Sequence, residues 1–247
     1  MQNSYDKKTV IITGSSKGIG ASTAIKYAEK NYNVVINYLT DEQSALDLSN
    51  ELKNKYNTNT LVIKCDVSKE SEVLSLIDQV IKEFGKIECL VNNAGIAIDS
   101  TLEDKTVDNF KRILDVNLIG TFLMCKHVGT IMKNQEYGSI VNISSTNGID
   151  SFYPYSMDYD ASKAGVISLT HNFALEYAPN IRVNCIAPGW VNTEMNKELG
   201  EEYIKEECKH ILLERFAEPE EIAETILFVS ESPYLNDTVL KVDGGRC

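Results

Sequence analysis

Along the chain, short runs of β-branched residues alternate with longer segments whose apolar positions recur every three to four residues. The first kind reads as strand and the second as amphipathic helix. Strands are predicted at residues 9–13 (TVIIT), 33–38 (NVVINY), 60–65 (TLVIKC), 87–93 (IECLVNN), 139–144 (SIVNIS), 181–187 (IRVNCIA) and 238–243 (TVLKVD). Helices are predicted between them at residues 18–30, 42–56, 69–84, 106–134, 157–178 and 219–231. These strands are apolar on both faces, as the strands of a parallel sheet are when helices cover each side. The repeated strand–helix–strand rhythm predicts one α/β domain over residues 1–247, a doubly wound sheet of about seven parallel strands. One stretch breaks the rhythm: residues 190–218 are polar and acidic and lie between the sixth and seventh strands. Ligands of such sheets bind beyond the carboxyl ends of the strands, so this insertion is placed as a substrate lid, with a plain surface excursion as the alternative.

Composition narrows the class. The 247 residues are 43% apolar and 24% charged, enough for one full core in a soluble globular protein. Acidic residues outnumber lysine and arginine by 36 to 24, for a net charge of −12. Such a surface disfavours DNA phosphates and anionic lipid, so no nucleic acid and no membrane partner is expected. No apolar run approaches the ~20 residues of a membrane helix, and no signal peptide is read at the start, so a cytoplasmic location is expected. The six cysteines are dispersed without CxxC spacing; they read as small hydrophobes rather than as disulfides or metal ligands.

Candidate chemistry gathers at the predicted strand ends. TGSSKGIG, Thr13–Gly20, follows the first strand and opens the first helix, where glycines let the backbone approach a pyrophosphate at the positive end of the helix. Its GxxxGxG spacing differs from the commoner GxGxxG, and it makes Gly14, Ser16, Lys17, Gly18, Ile19 and Gly20 candidates for dinucleotide contact. Asp66 and Val67 end the third strand, where a carboxylate can accept from an adenine amine, and Asn93-Ala94-Gly95 ends the fourth. Turns that converge on one sheet edge are what a dinucleotide crevice needs. Tyr159 and Lys163 stand four apart in a predicted helix, on one face. A phenol of ordinary pKa about 10 is almost wholly protonated at neutrality, and an adjacent ammonium is expected to bring it down. Asn117 is a polar residue in the apolar stretch LDVNLIG, either holding a water-mediated proton path or sitting as a satisfied structural amide.

Taken in order, TGSSKGIG, CDV, NNAG, Asn117, NISS, YDASK, RVNCIAPGWVNTEM and VDGG resemble the short-chain dehydrogenase/reductases over nearly the whole length. The resemblance implies NAD(P)(H)-dependent oxidoreduction by a Ser/Tyr/Lys/Asn set. Tyr159 would be the acid/base, Lys163 would lower its pKa and bind the nicotinamide ribose, and Asn117 would hold the water linking Lys163 to solvent. It places Pro188, Gly189, Val191 and Thr193 around the nicotinamide. The serine is displaced: relatives carry it thirteen residues before the tyrosine, which is Thr146 here, whereas Ser145 is fourteen before. One extra residue in IDSFYPYSM favours Ser145, with Thr146 and Ser144 as alternatives.

After the second strand the chain reads Asn37-Tyr38-Leu39-Thr40, with no carboxylate before Asp41 to bind a ribose 2′-hydroxyl. Asn37 is counted among the cofactor contacts and Lys17 as a partner for a 2′-phosphate, so NADP(H) is favoured over NAD(H). The sequence is similar to the 3-oxoacyl-[acyl-carrier-protein] reductases, implying a carrier-bound thioester and acyl carrier protein as partner. Glu136 and Leu175 stand where such relatives often carry a base, leaving Lys126 and Lys133 for docking. A reductase or dehydrogenase of a free ketone, polyol or sugar, glucose-dehydrogenase-like, is the second expectation, with Tyr153, Tyr155 and Trp190 as pocket wall. A non-catalytic redox sensor is the remote third. Family resemblance also implies a homotetramer.

Overall fold

The computed structural model describes residues 7–196 and 199–246. Seven strands form one parallel sheet: β1 (Thr9–Ile12), β2 (Asn33–Tyr38), β3 (Thr60–Lys64), β4 (Cys89–Asn92), β5 (Gly138–Ile143), β6 (Ile181–Pro188) and β7 (Val239–Val242). Their spatial order is β3-β2-β1-β4-β5-β6-β7, the doubly wound Rossmann-type order that reverses direction between β1 and β4. The helices are α1 (Gly18–Glu29), α2 (Glu42–Tyr56), α3 (Glu70–Phe84), α4 (Val107–Leu114), α5 (Gly120–Gln135), α6 (Met157–Tyr177), α7 (Glu201–Cys208) and α8 (Pro219–Glu231).

Alternation along each strand sorts side chains onto two cores. Ile11, Val35, Leu90 and Ile140 point into one core with α3, α5 and α6; Val10, Ile12, Val34, Ile36, Val91 and Val141 point into the other with α1, α2 and α8. Both faces are covered, which is why the strands are apolar throughout.

Two features differ from expectation. The helix predicted over 106–134 is interrupted by a π turn, Asp115–Ile119, between α4 and α5. Widening one turn leaves the apolar periodicity nearly intact, so the sequence pattern does not reveal it, and π turns concentrate at functional sites. The polar insertion holds α7, and its two ends are joined by a bridge between Val191 and Ala217.

The sheet edge that carries the site is laced by buried amides. Asn37 is 2% exposed, and its Oδ1 accepts from the Gly14 amide at 3.0 Å while its Nδ2 donates to Ile63 O and Cys65 O at 3.3 and 3.1 Å. It ties the turn after β1 to β3. Leucine at this position is expected to strand those groups and destabilise the fold by about 3 kcal/mol in urea denaturation; a loss under about 0.5 kcal/mol would show the lacing to be incidental.

Candidate active site

Loops at the carboxyl ends of β1 to β6 enclose a cleft of about 380 Å³. Gly14, Ser16, Lys17, Gly18, Ile19, Asn37, Asp66, Val67, Asn93, Ala94 and Gly95 line it, together with Ser145, Tyr159, Lys163, Pro188, Gly189, Val191 and Thr193. Gly20 lies behind the first turn, where a Cβ would come within 2.6 Å of Gly14 O.

Gly14 has φ +60°, and a Cβ there would sit 2.9 Å from the Ala94 backbone, so only glycine allows the turns after β1 and β4 to touch. Asn93 locks that contact: its Nδ2 donates to Thr13 O and Gly14 O at 3.0 and 2.9 Å, and its own amide donates to Thr13 Oγ1. The start of α1 has neither a side-chain cap nor an acidic residue in its first turn, whereas Asp41 caps α2 and Thr106 caps α4. Uncapped amides at a helix start facing a cleft suit a phosphate group.

Asn37 lines the cleft while its amide is committed to the framework described above. Asp66 accepts from Ser68 N and Oγ at 3.1 and 2.6 Å. Burial opposes its ionisation, but those bonds and the charges of Arg112 and Lys69 hold it below the usual carboxylate range. Lys17 is also engaged: its Nζ lies 2.6 Å from Asp41, a carboxylate the strand-end pattern placed too late to matter. The bond to Lys17 and two from Ser44 hold Asp41 down to about 2.

Helix α6 carries Tyr159 and Lys163 on one face. Lys163 is 4% exposed and donates to Ile143 O at 2.8 Å. Its Nζ lies 5.5 Å from the Tyr159 ring centroid, under the ring face. Burial lowers Lys163 to about 8 and raises Tyr159 to about 12, the latter opposed by a hydrogen bond from Ser145 and reinforced by Asp160 and Asp99. Burial acts against the charged form of each group, in the direction opposite to the expected lowering of the phenol by the ammonium.

The three candidate hydroxyls have different surroundings. Ser145 lines the cleft with Tyr159 and acts to lower the phenol's pKa. Ser144 turns away to donate to Lys163 O at 2.8 Å, and Thr146 is buried in the turn that follows. Of the two expectations for Asn117, the contacts of its side chain match the satisfied structural amide. Oδ1 accepts from Ile96 N at 2.8 Å, and Nδ2 donates to Ile96 O at 2.9 Å and Ser162 Oγ at 3.0 Å. It pins the loop after β4 to α6.

Tyr155 is exposed and stacks near Tyr153, with centroids 5.3 Å apart, outside the cleft lining. Trp190 stacks on Phe216 at 5.3 Å and donates to Glu207 of α7 at 2.8 Å, so the insertion is clipped onto the rim. Lys126 and Lys133 are paired with Glu70 and Glu176 at 2.8 and 3.0 Å. Cys65, Cys89, Cys125 and Cys185 are buried thiols and Cys208 is half-buried; Cys247 lies outside the described residues.

Two buried carboxylates that sequence reading passed over, Asp158 and Asp160, stand at the start of α6. Lys105 donates to both oxygens of Asp158 at 2.9 Å and to Ile98 O at 3.3 Å, with side chains 4% and 0% exposed. Asp160 binds the loop on the opposite side. An acidic residue in a first helical turn normally reads as a solvated charge favoured by the helix dipole, so nothing in the pattern marked these carboxylates as buried.

A dinucleotide-type cleft ending in a serine, tyrosine and lysine on this fold has close counterparts. A family profile described as Enoyl-(Acyl carrier protein) reductase matches residues 14–246. Glucose 1-dehydrogenase 2 of Bacillus subtilis (strain 168) is 36% identical over 96% of this chain and 94% of its own. The 3-oxoacyl-[acyl-carrier-protein] reductase FabG of Staphylococcus epidermidis is 35% identical over 96% of this chain and 98% of its own. The solved structure of ElxO with NADP bound is 32% identical, covers 96% of this chain and 98% of its own, and superposes with a TM-score of 0.89. The chain belongs to the classical short-chain dehydrogenase/reductase family and is an NAD(P)-dependent oxidoreductase.

The ion pair beside Tyr159 gives a stability test. Lys105→Met leaves a buried carboxylate uncompensated and is expected to destabilise by about 3–5 kcal/mol, while Lys105→Met with Asp158→Leu recovers most of that. Urea denaturation of both variants checks this, and a double variant no more stable than the single would contradict it.

Proposed function

We propose that the protein reduces a ketone to a secondary alcohol with NADP(H), acting on a free, uncharged carbonyl compound. The observation that carries the chemistry is the Ser145–Tyr159 hydroxyl pair in the cleft, with Lys163 packed beneath it. When bound, the cofactor supplies the hydride. The uncapped start of α1, with Gly14, Ser16, Gly18 and Ile19, fits its pyrophosphate; Asp66, Val67, Asn93, Ala94 and Gly95 fit its adenosine and the ribose beyond; Pro188, Gly189, Val191 and Thr193 fit its nicotinamide end.

Ser145 donates to the carbonyl oxygen and orients it. Tyr159, kept protonated by burial, gives its proton to the alkoxide that forms, and the Lys163 ammonium beneath balances the phenolate left behind. Asn117 acts on this pair through position, fixing Gly95 and Ile96 against α6; a Cβ on Gly95 would meet both Asn117 Oδ1 and Lys163 Nζ at 3.4 Å. Tyr159→Phe is expected to lower kcat at least about a thousandfold while NADPH binding, followed by fluorescence, stays within about twofold. Unchanged turnover would refute the assignment.

Lys17 is the 2′-phosphate partner in this reading, and Asp41 competes for it. NADPH is expected to show the lower KM, by about tenfold or less, with Asp41→Asn widening the gap. A lower KM for NADH in the unmodified protein would overturn the cofactor choice.

The free-substrate reading rests on charge. A carrier-protein surface presents carboxylates and phosphate, yet Lys126 and Lys133 are each compensated by a neighbouring glutamate, and Leu175 beside them is 77% exposed. Near Tyr159 stand Asp99, Asp160 and Asp158, the last compensated by Lys105; Asp99 is raised by burial and its two acidic neighbours, with Lys105 opposing. Acidic surroundings repel an anionic substrate. The likeness to FabG supports the second reading, a carrier-bound 3-oxoacyl thioester. Assaying acetoacetyl thioesters beside neutral ketones, polyols and glucose separates them: turnover of the thioester alone would sink the free-substrate reading. Exposed Phe122, Leu175 and Phe228 support a homotetramer, for which light scattering should return four times the 27.6 kDa chain mass.

A further inference from the structure

The carboxylate next to Tyr159 on its C-terminal side carries a role of its own. Asp160 is 9% exposed and gathers three donors from one loop: Asn147 Nδ2 at 2.7 Å, the Tyr153 amide at 3.0 Å and Ser156 Oγ at 3.1 Å. These donors come from the beginning, middle and end of the segment that holds the extra residue between the serine and the tyrosine.

A carboxylate only accepts, so it selects one face of the Asn147 amide. With Nδ2 turned to Asp160, Oδ1 must face Ser145, and the Ser145 hydroxyl lies 3.3 Å from it. The Asn147 backbone amide donates back to the same hydroxyl oxygen at 3.2 Å. Ser145 Oγ is thus held from two sides by one residue, whose own orientation Asp160 sets. Both bonds are long, so the hydroxyl proton can rotate to an incoming carbonyl while the oxygen stays in place.

The turn itself lies against α6. A Cβ on Gly148 would come within 2.7 Å of the Lys163 main-chain carbon, so glycine is what lets this turn reach the helix carrying the tyrosine. Through the Tyr153 amide, the same carboxylate also holds the backbone of a tyrosine whose ring packs 5.3 Å from Tyr155.

We infer that Asp160 is a positioning residue that acts through Asn147 to hold the Ser145 hydroxyl at Tyr159. This rests on the reading of Ser145 as the carbonyl-binding hydroxyl. A purely structural anchor for the loop would not be coupled to Ser145 in particular, and that coupling is what a double-mutant cycle reads.

The experiment takes Asn147→Ala, Asp160→Asn and Ser145→Ala, singly and as the two pairs with Ser145→Ala, assayed with NADPH and the fastest ketone of the substrate panel. Asn147→Ala and Asp160→Asn are each expected to lower kcat about tenfold, with the NADPH dissociation constant within about twofold. In the Ser145→Ala background the same changes should cost under about twofold more. Equal losses in both backgrounds, or no loss in either single variant, would overturn the inference. Should Asp160→Asn fail to fold by circular dichroism, the Asn147→Ala cycle decides alone. Full activity in Ser145→Ala would instead overturn the underlying assignment of Ser145.

Discussion

Desolvation of one helical face governs this molecule. Lys163 is inserted against the carboxyl end of β5, with its ammonium on Ile143 O and under the Tyr159 ring. Lys163 is buried and Tyr159 half-buried at the cleft, and burial acts against the charged form of each, so the lysine falls and the phenol rises. That arrangement suits reduction. A phenol kept protonated is ready to give its proton to an alkoxide, which is far the stronger base, and the lysine gains most from its charge at the moment a phenolate forms beside it. The surrounding contacts maintain the dryness: Ser144 bonds the Lys163 carbonyl, and the Gly148 turn lies on the Lys163 backbone.

Buried and half-buried asparagines hold the loops that enclose this face. Asn37 joins the turn after β1 to β3, and Asn93 joins the turns after β1 and β4. Asn117 joins the loop after β4 to α6, and Asn147 joins the serine to Asp160. An amide presents donors and an acceptor at fixed angles, so it can bridge two irregular segments that have no ladder of their own. The same economy appears at the start of α6, where Asp158 and Asp160 flank the tyrosine and each grips a different loop.

Much of this was legible along the chain. Strands buried on both faces and helices of regular period define the sheet without reference to any partner, and the glycine turn, Tyr159 and Lys163 follow from local spacing. What escaped depends on contacts between distant residues. The π turn at Asp115–Ile119 accompanies the capture of Asn117 by the Ile96 backbone, 21 positions away. Lys17 meets Asp41 only because β1 and β2 are neighbours. Counting back from the tyrosine leaves Ser144, Ser145 and Thr146 open, because the count cannot see how the extra residue is absorbed; in the fold the added length is gathered around Asp160. Spacing likewise reveals the charge near Tyr159 but not the burial that acts against its ionisation.

The central claim, that burial rather than charge pairing sets the proton equilibria of the site, can be measured on the free protein. NMR titration of tyrosine Cζ and lysine Cε carbons, assigned with Tyr159→Phe and Lys163→Met, should place Tyr159 near 12 and Lys163 near 8. A Tyr159 that ionises below its ordinary value of about 10, beside a Lys163 still charged above that pH, would contradict it.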